Sequence, residues 1–350
     1  MTPAAIAAVA HGLGSPVADI NPSFVNDIFD GFWLIVIVKS LLVLIVFLSA
    51  PMVVGYMEHK VLAHMQARLG PMEAGSFHGW AQLVADGVKF IQKEDVVPEA
   101  ADSSVFSLAP AVAMIPYIAI LVVLPFSASA FALNLDIGIF FVMAMSSVSV
   151  IGVLMAGWSS ANKFSLIGAL RAAAQLIAYE LPLVLAAAAV VMLSSQTSMV
   201  GIVEAQRSLW YVVPLFPMFV VFMISALAEL TRPPFDMPIA DSEIIFGAYT
   251  EYTGLKFAFF LLAEYGGIVA LSGVAAVLFL GGYQGLPAIP LPGPIWMFAK
   301  IGALSFFVIW LRATYPRLRE DQLQRFAWLT LIPLSLVWIL GVAVVKVAVK

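Results

Sequence analysis

Apolar runs long enough to cross a hydrocarbon core recur along this 350-residue chain, at about 32–54, 105–127, 138–158, 172–195, 211–230, 254–280, 296–312 and 326–346. A spanning helix needs about 20 predominantly apolar residues. None of the runs shows the two-residue alternation of a barrel strand. In lipid each backbone N–H and C=O must be satisfied within its own segment, so the runs predict helices. The expected fold is an all-α polytopic integral membrane protein, a single transmembrane domain over 1–350 with about eight transmembrane helices.

The pattern changes in two places. In "GWAQLVADGVKFIQKED" (79–95), Trp80, Leu83, Val84, Val88 and Ile91 recur at three- to four-residue spacing, with Asp86, Lys89 and Lys93 largely on another face. This predicts an amphipathic helix within loop 55–104, lying in the interface plane or docking on a soluble partner. In loop 229–253, the acids Glu229, Asp236, Asp241, Glu243 and Glu251 alternate with Phe235, Met237, Ile244, Ile245, Phe246 and Tyr249. The only cation there is Arg232. A freely solvated acidic loop would not carry so much apolar surface, so this one packs against a partner or lines a cavity. The Pro233–Pro234 pair ends the helix before it.

Composition agrees with the spans. The chain is 62% hydrophobic and 11% charged, where soluble domains carry roughly a quarter charged residues. With no cysteine, it has no disulfide and no cysteine-held iron–sulfur cluster or zinc. The net charge of −4 and the absence of a basic cluster leave no case for nucleic acid. The four histidines lack a metal-binding spacing, and no Gly-rich nucleotide motif is present. Residues 1–31 lack the basic region of a signal peptide and are expected to remain in the mature chain.

Charge sorts the loops. Eleven of the Lys and Arg residues fall in loops 55–104, 159–171, 231–253 and around 312–325, against Arg207, Lys346 and Lys350 on the other side. The positive-inside rule makes the first group cytoplasmic and puts both termini outside.

Two acids lie inside spans. Glu180 is about 13 Å past Arg171 and Glu264 about 15 Å past Gly254 at 1.5 Å per residue, so both are expected near mid-depth. Neither has a cation within one turn of its own helix. Intramembrane acids face a bundle interior or water and mark ion paths. The plainer reading of each is a structural polar plug, protonated and hydrogen-bonded to a neighbouring helix. Two at matching depth, fed by an acidic loop, point towards a proton path.

From about Glu58 to Arg325 the chain resembles the H subunit family (NADH dehydrogenase subunit 1) of respiratory complex I, the proton-pumping NADH:quinone oxidoreductase. The matching stretches are "EHKVLAHMQARLGP", "LVADGVKFIQKED", "GWSSANKFSLIGALRAAAQLIAYE", "AELTRPPFDMPIADSE", "TEYTG", "LLAEY" and "WLRATYPRLREDQL". The resemblance implies a membrane subunit with quinone as substrate, in a bacterial-type inner membrane. It implies an access opening bordered by the first and sixth spans and the amphipathic helix. NADH, flavin and iron–sulfur clusters would belong to partner subunits. Those partners are the hydrophilic quinone-module subunits and small membrane-arm subunits. It implies a proton path through Glu180, Glu229, Asp236, Asp241, Glu243, Glu251 and Glu264. The residues implied at the quinone cavity or its opening are Glu58, Lys60, Arg68, Trp80, Leu83, Arg232, Phe235, Arg312 and Arg317. Three positions depart from the family pattern: His59 stands for an arginine, Glu73 falls within "GPMEAG", and Ile239 replaces an acid. A second reading is the homologous membrane anchor of an energy-converting hydrogenase or ferredoxin-linked complex. A stand-alone transporter is disfavoured, since no inverted repeat is evident.

Overall fold

The computed structural model describes residues 32–239, 241–285 and 291–349; the side chains of Phe32, Asp241, Ser242 and Val349 are also outside the described set. The N-terminal stretch 1–31 therefore lies outside the described residues. Contacts divide the chain into two units at Leu42/Val43. The described part of the first unit is the opening turns of one apolar helix, and everything below concerns Val43–Lys350.

The described residues are helical, without a strand among them. The helices are α1 (Phe32–Met65), α2 (Gln82–Gln92), α3 (Ser103–Val123), α4 (Gly138–Ser159), α5 (Lys163–Ser194), α6 (Met199–Ala205), α7 (Phe216–Glu229), α8 (Asp241–Ile244), α9 (Gly254–Phe279), α10 (Gly293–Thr314), α11 (Glu320–Phe326) and α12 (Ile332–Val349). A 3₁₀ turn covers Gly247–Tyr249, and a π-helical turn over Ala327–Leu331 joins α11 to α12. Seven helices among the described residues are long and apolar enough to cross a membrane, counting α11 to α12 as one. The remaining expected span, 211–230, holds only the 14-residue α7. Turns precede it at 211–215 and Pro217 sits at its start, so its helix begins late.

Helices extend into two expected loops. α1 runs on to Met65, which places Glu58 and Lys60 on a helix. α5 starts at Lys163, so Arg171 lies two turns inside it. Polar side chains fix these starts. Asp102 accepts from the Ser104 and Val105 N–H groups at the head of α3, and Asn162 accepts from Phe164 N–H at 2.9 Å at the head of α5, satisfying orphan donors.

α9 is the central helix. It packs against α3, α10 and α2, and every residue from Gly266 to Phe279 is buried. Gly266, Gly267, Ala270, Gly273, Ala275 and Ala276 keep its surface low, which lets neighbouring backbones approach. A second row of contacts links α3 to α4, α4 to α5 and α5 to α7. Glu58, Ser146, Ser149, Gln175, Glu229 and Arg232 are among the buried polar residues, and they lie where these two rows meet the 228–252 segment.

Candidate functional site

α7 ends at Glu229, and the chain turns sharply through Thr231, a residue with positive φ. Gln175 of α5 straddles this turn. Its fully buried amide donates to the carbonyls of Ala228 (2.6 Å) and Phe235 (2.7 Å). The turn so held sends Arg232 inward, where it is 2% exposed. Its guanidinium pairs with Glu58 of α1 through Nη1 and with Glu264 of α9 through Nε, the latter at 2.6 Å. Tyr265 lies against its face, with the ring centroid 4.6 Å away. Arg312, at the end of α10, pairs with the other oxygen of Glu58. Two carboxylates thus face two guanidinium groups, and the cluster is formally neutral. Burial alone would depress the Arg232 guanidinium, but Glu264 and Glu58 outweigh it and hold it above its ordinary value.

Glu264 has no cation within one turn of its own helix, as the sequence shows, yet it is paired. Its partner comes from a loop distant in sequence, which spacing along its own helix cannot reveal. Arg232 is equally not the counter-charge of the acidic loop, because its turn points it into the bundle. Two of the loop acids, Glu243 and Glu251, find partners on α5 and its cap instead. Arg171 donates to Glu243 at 2.6 Å and holds its carboxyl below the usual range. Asn162 donates to Glu251 at 2.6 Å with the same side chain that caps α5.

Beyond Glu264 the polar residues continue. A cavity of about 40 Å³ is lined by Glu264, Glu229, Tyr117, Ser149, Thr231 and Tyr249, among others. That is room for water, which needs roughly 10–15 Å³ and polar partners. Burial, then the Glu264 charge, pushes the Tyr249 phenol up, so it is a neutral hydroxyl. Glu229 is buried, interacts with the Ser146 hydroxyl and feels the charge of Glu180. Its Oε2 has no hydrogen-bond partner among the described residues. Glu180, half-buried on α5, accepts a hydrogen bond from Ser147 of α4. The acids therefore form a sequence from Glu58 through Glu264 and Glu229 to Glu180. Arg232 sits at its head, and serines and the small cavity lie between its members.

α2 approaches the head of this sequence. Leu83 packs at Gly55 of α1, beside Tyr265 of α9. A Cβ on Gly55 would stand 3.0 Å from Leu83 Cδ1 and 3.7 Å from Tyr265. Phe90 meets Phe257 of α9 with ring centroids 5.9 Å apart. Val84, Val88 and Ile91 remain exposed, an apolar face without cover among the described residues.

A model of the NADH dehydrogenase family matches residues 38–343. The chain belongs to the NADH dehydrogenase family. It is 45% identical over 313 residues to the H subunit of the Brevibacillus brevis NADH-quinone oxidoreductase, covering 88% of this chain and 92% of that protein. The corresponding protein of Geobacillus kaustophilus is 44% identical over 290 residues, 83% of this chain and 87% of the relative. That of Rhodospirillum rubrum is 40% identical over 323 residues, 89% and 95%.

The residues expected from NADH dehydrogenase family motifs divide into those the fold gathers and those it does not. Glu58, Arg232, Glu264 and Arg312 meet directly. Glu229 and Glu180 extend the row, and Glu243 and Glu251 are held at its loop-side edge. Asp236 is half-buried just after Phe235, and the side chain of Asp241 lies outside the described residues. Lys60 does not join the cluster. Its ammonium turns to the Pro71 carbonyl and, at 3.4 Å, to that of Leu69, tying down the segment after α1. Arg68 and Glu73 are exposed on that segment, so the Glu73 departure leaves the buried charges unchanged. Trp80 is 61% exposed, its indole donating to Gly75 O at 2.9 Å. Phe235 turns from the charged cluster to pack edge-on against Tyr179, 5.3 Å between centroids. Arg317 lies near Met237 and within electrostatic reach of Glu243.

Sequence reasoning missed Tyr265, Gln175, Asn162, Arg171 and the α4 serines. The available signal was "LRAAAQ", where a cation and an amide four residues apart share one face of an apolar helix.

Proposed function

We propose that this chain is the H subunit of a proton-translocating NADH:quinone oxidoreductase, and that it borders the quinone access route and opens the proton path. The observation that carries the reading is the row of buried acids from Glu58 to Glu180, headed by Arg232 and bridged by hydroxyls and a water-sized cavity. Intramembrane acids in such a row face each other rather than lipid, the arrangement expected of a proton relay. At the head of the row, α2 covers the seam of α1 and α9 at Gly55, and its uncovered apolar face suits the membrane interface. A long-tailed quinone leaving the bilayer there reaches Tyr265 and Arg232 next. Reduction of its headgroup changes the charge beside the neutral Glu58–Arg232–Glu264–Arg312 cluster. The acids beyond it respond by exchanging protons.

In this reading the start of α5 with Arg171 and the loops holding Arg232 and Arg317 face the cytoplasm of a bacterial-type inner membrane and contact the hydrophilic quinone-module subunits. Small membrane-arm subunits cover the Glu180 side. NADH, flavin and iron–sulfur clusters sit on the partners. The 40–45% identity to NADH-quinone oxidoreductase H subunits favours this reading over a hydrogenase anchor. The test is Glu180→Gln in the assembled complex reconstituted into vesicles. The amide keeps the Ser147 contact and removes the titration. Quinone reduction coupled to proton uptake should fall about a hundredfold, the low end of a general acid–base contribution, while subunit content stays intact. Normal coupled turnover in a correctly assembled variant would refute the path.

A further inference from the structure

Between α7, α10 and α11 lies an apolar cavity of about 850 Å³ that the acid row does not use. Five of its fifteen lining residues are phenylalanines, and none is Gly, Ala, Ser or Thr. Helices that pack in membranes meet on small residues that let backbones approach, so this lining does not suit a partner's helix. Its length points to a lipid tail. The lining runs along α7 from Phe216 to Leu227, about 17 Å at 1.5 Å per residue. One leaflet's share of a roughly 30 Å hydrocarbon core is about 15 Å.

At the loop end the lining is Tyr315, Pro316, Leu318 and Gln322. Trp310 precedes the lining residue Leu311 and Trp328 follows Phe326 by two positions; both are exposed, and tryptophan is the residue type that marks headgroup level. Gln322 and Phe326 share one face of α11, and Arg325 stands beside them, exposed. Arg319 is occupied by Asp321 at 3.2 Å. Arg325 pairs with no carboxylate among the described residues, and its charge complements a phosphate.

We propose that this cavity is a phospholipid site that takes one acyl chain from the loop-side leaflet, with the phosphate at Arg325. The bound chain would brace the turn that carries Arg232. Pro234 and Phe235 line the cavity, and the Leu318 N–H donates to Pro234 O at 3.1 Å.

The test uses the complete purified complex in nanodiscs of phosphatidylethanolamine and phosphatidylglycerol in equal parts. A trace of phosphatidylglycerol carries a diazirine near the end of its acyl chain. After irradiation, adducts are expected on the α7 and α10 lining, competed by unlabelled phospholipid. Arg325→Ala, on the surface, should lower them about tenfold, the ratio of roughly 1.4 kcal/mol from one charge-assisted contact. Met223→Trp, which narrows the cavity beside α7, should lower them further. The proposal is overturned by any of four results. These are no adduct on the lining, labelling unchanged in Arg325→Ala, a partner's peptide cross-linked there instead, or preferential labelling by a quinone bearing the diazirine in its tail. None of these readouts depends on proton coupling.

Discussion

Replacing Arg232 by methionine removes a guanidinium that serves two carboxylates at once while roughly keeping its length. Glu58 would keep Arg312, but Glu264 would lose the cation 2.6 Å away. Arg232 and Glu58 are each 2% exposed and Glu264 22%, so water replaces little of the lost interaction. Breaking a buried pair from one side costs about 3–5 kcal/mol, because the remaining charge is stranded. For a chain of this size that corresponds to a fall of roughly 5 °C in the midpoint of thermal inactivation. Arg232→Lys should recover only part of this, since an ammonium cannot present Nη1 and Nε to two separate carboxylates. The decisive measurement is a double-mutant cycle with Glu264→Gln on purified, fully assembled complex, read by thermal inactivation of quinone reductase. Removing both charges leaves neither stranded, so the double variant should be less damaged than the sum by about 2 kcal/mol, within the range of coupled neighbours. Additivity within about 0.5 kcal/mol, the behaviour of independent sites, would show that Arg232 and Glu264 do not share one buried cluster.

The other expectations concern the approach to the site and the acidic loop. Leu83→Gln, at the junction of α2 with Gly55 and Tyr265, should raise KM several-fold more for a long-tailed quinone than for a short-tailed analogue; equal responses would rule out an access role for α2. Ile239→Glu restores a carboxyl beside Asp236 and Glu243, and like-charge repulsion raises carboxyl pKa values. The pH–rate profile of quinone reduction should therefore move to higher pH, whereas uniformly lower activity with an unmoved profile would mean that Ile239 only packs. Gly247→Ala forces a side chain into a residue with φ of +53° whose Cβ would overlap Pro238 O at 1.7 Å. Neither backbone can yield, so limited proteolysis should cut segment 231–253 much faster, and unchanged protection would contradict the loop packing.

The sequence by itself determined the class of fold and much of the inventory of the site. Runs of about 20 apolar residues admit helices only, and acids placed within them at Glu180 and Glu264 stood out because charge there is rare. The family motifs added Glu58, Arg232 and Arg312. What the sequence left open was pairing. Glu58, Arg232, Glu264 and Arg312 come from α1, the turn after α7, α9 and α10, and no local spacing links them. The tertiary structure decided that Arg232 faces inward rather than neutralising its own acidic loop, because Gln175 pins both ends of the turn from a third helix. It likewise decided that Lys60 holds backbone carbonyls and that Phe235 faces Tyr179, although both sit inside motifs that suggested a shared cavity. Hydropathy is a property of one segment and survives without its neighbours. A buried charge is stable only with a partner in space, and that partner is fixed by how the helices pack.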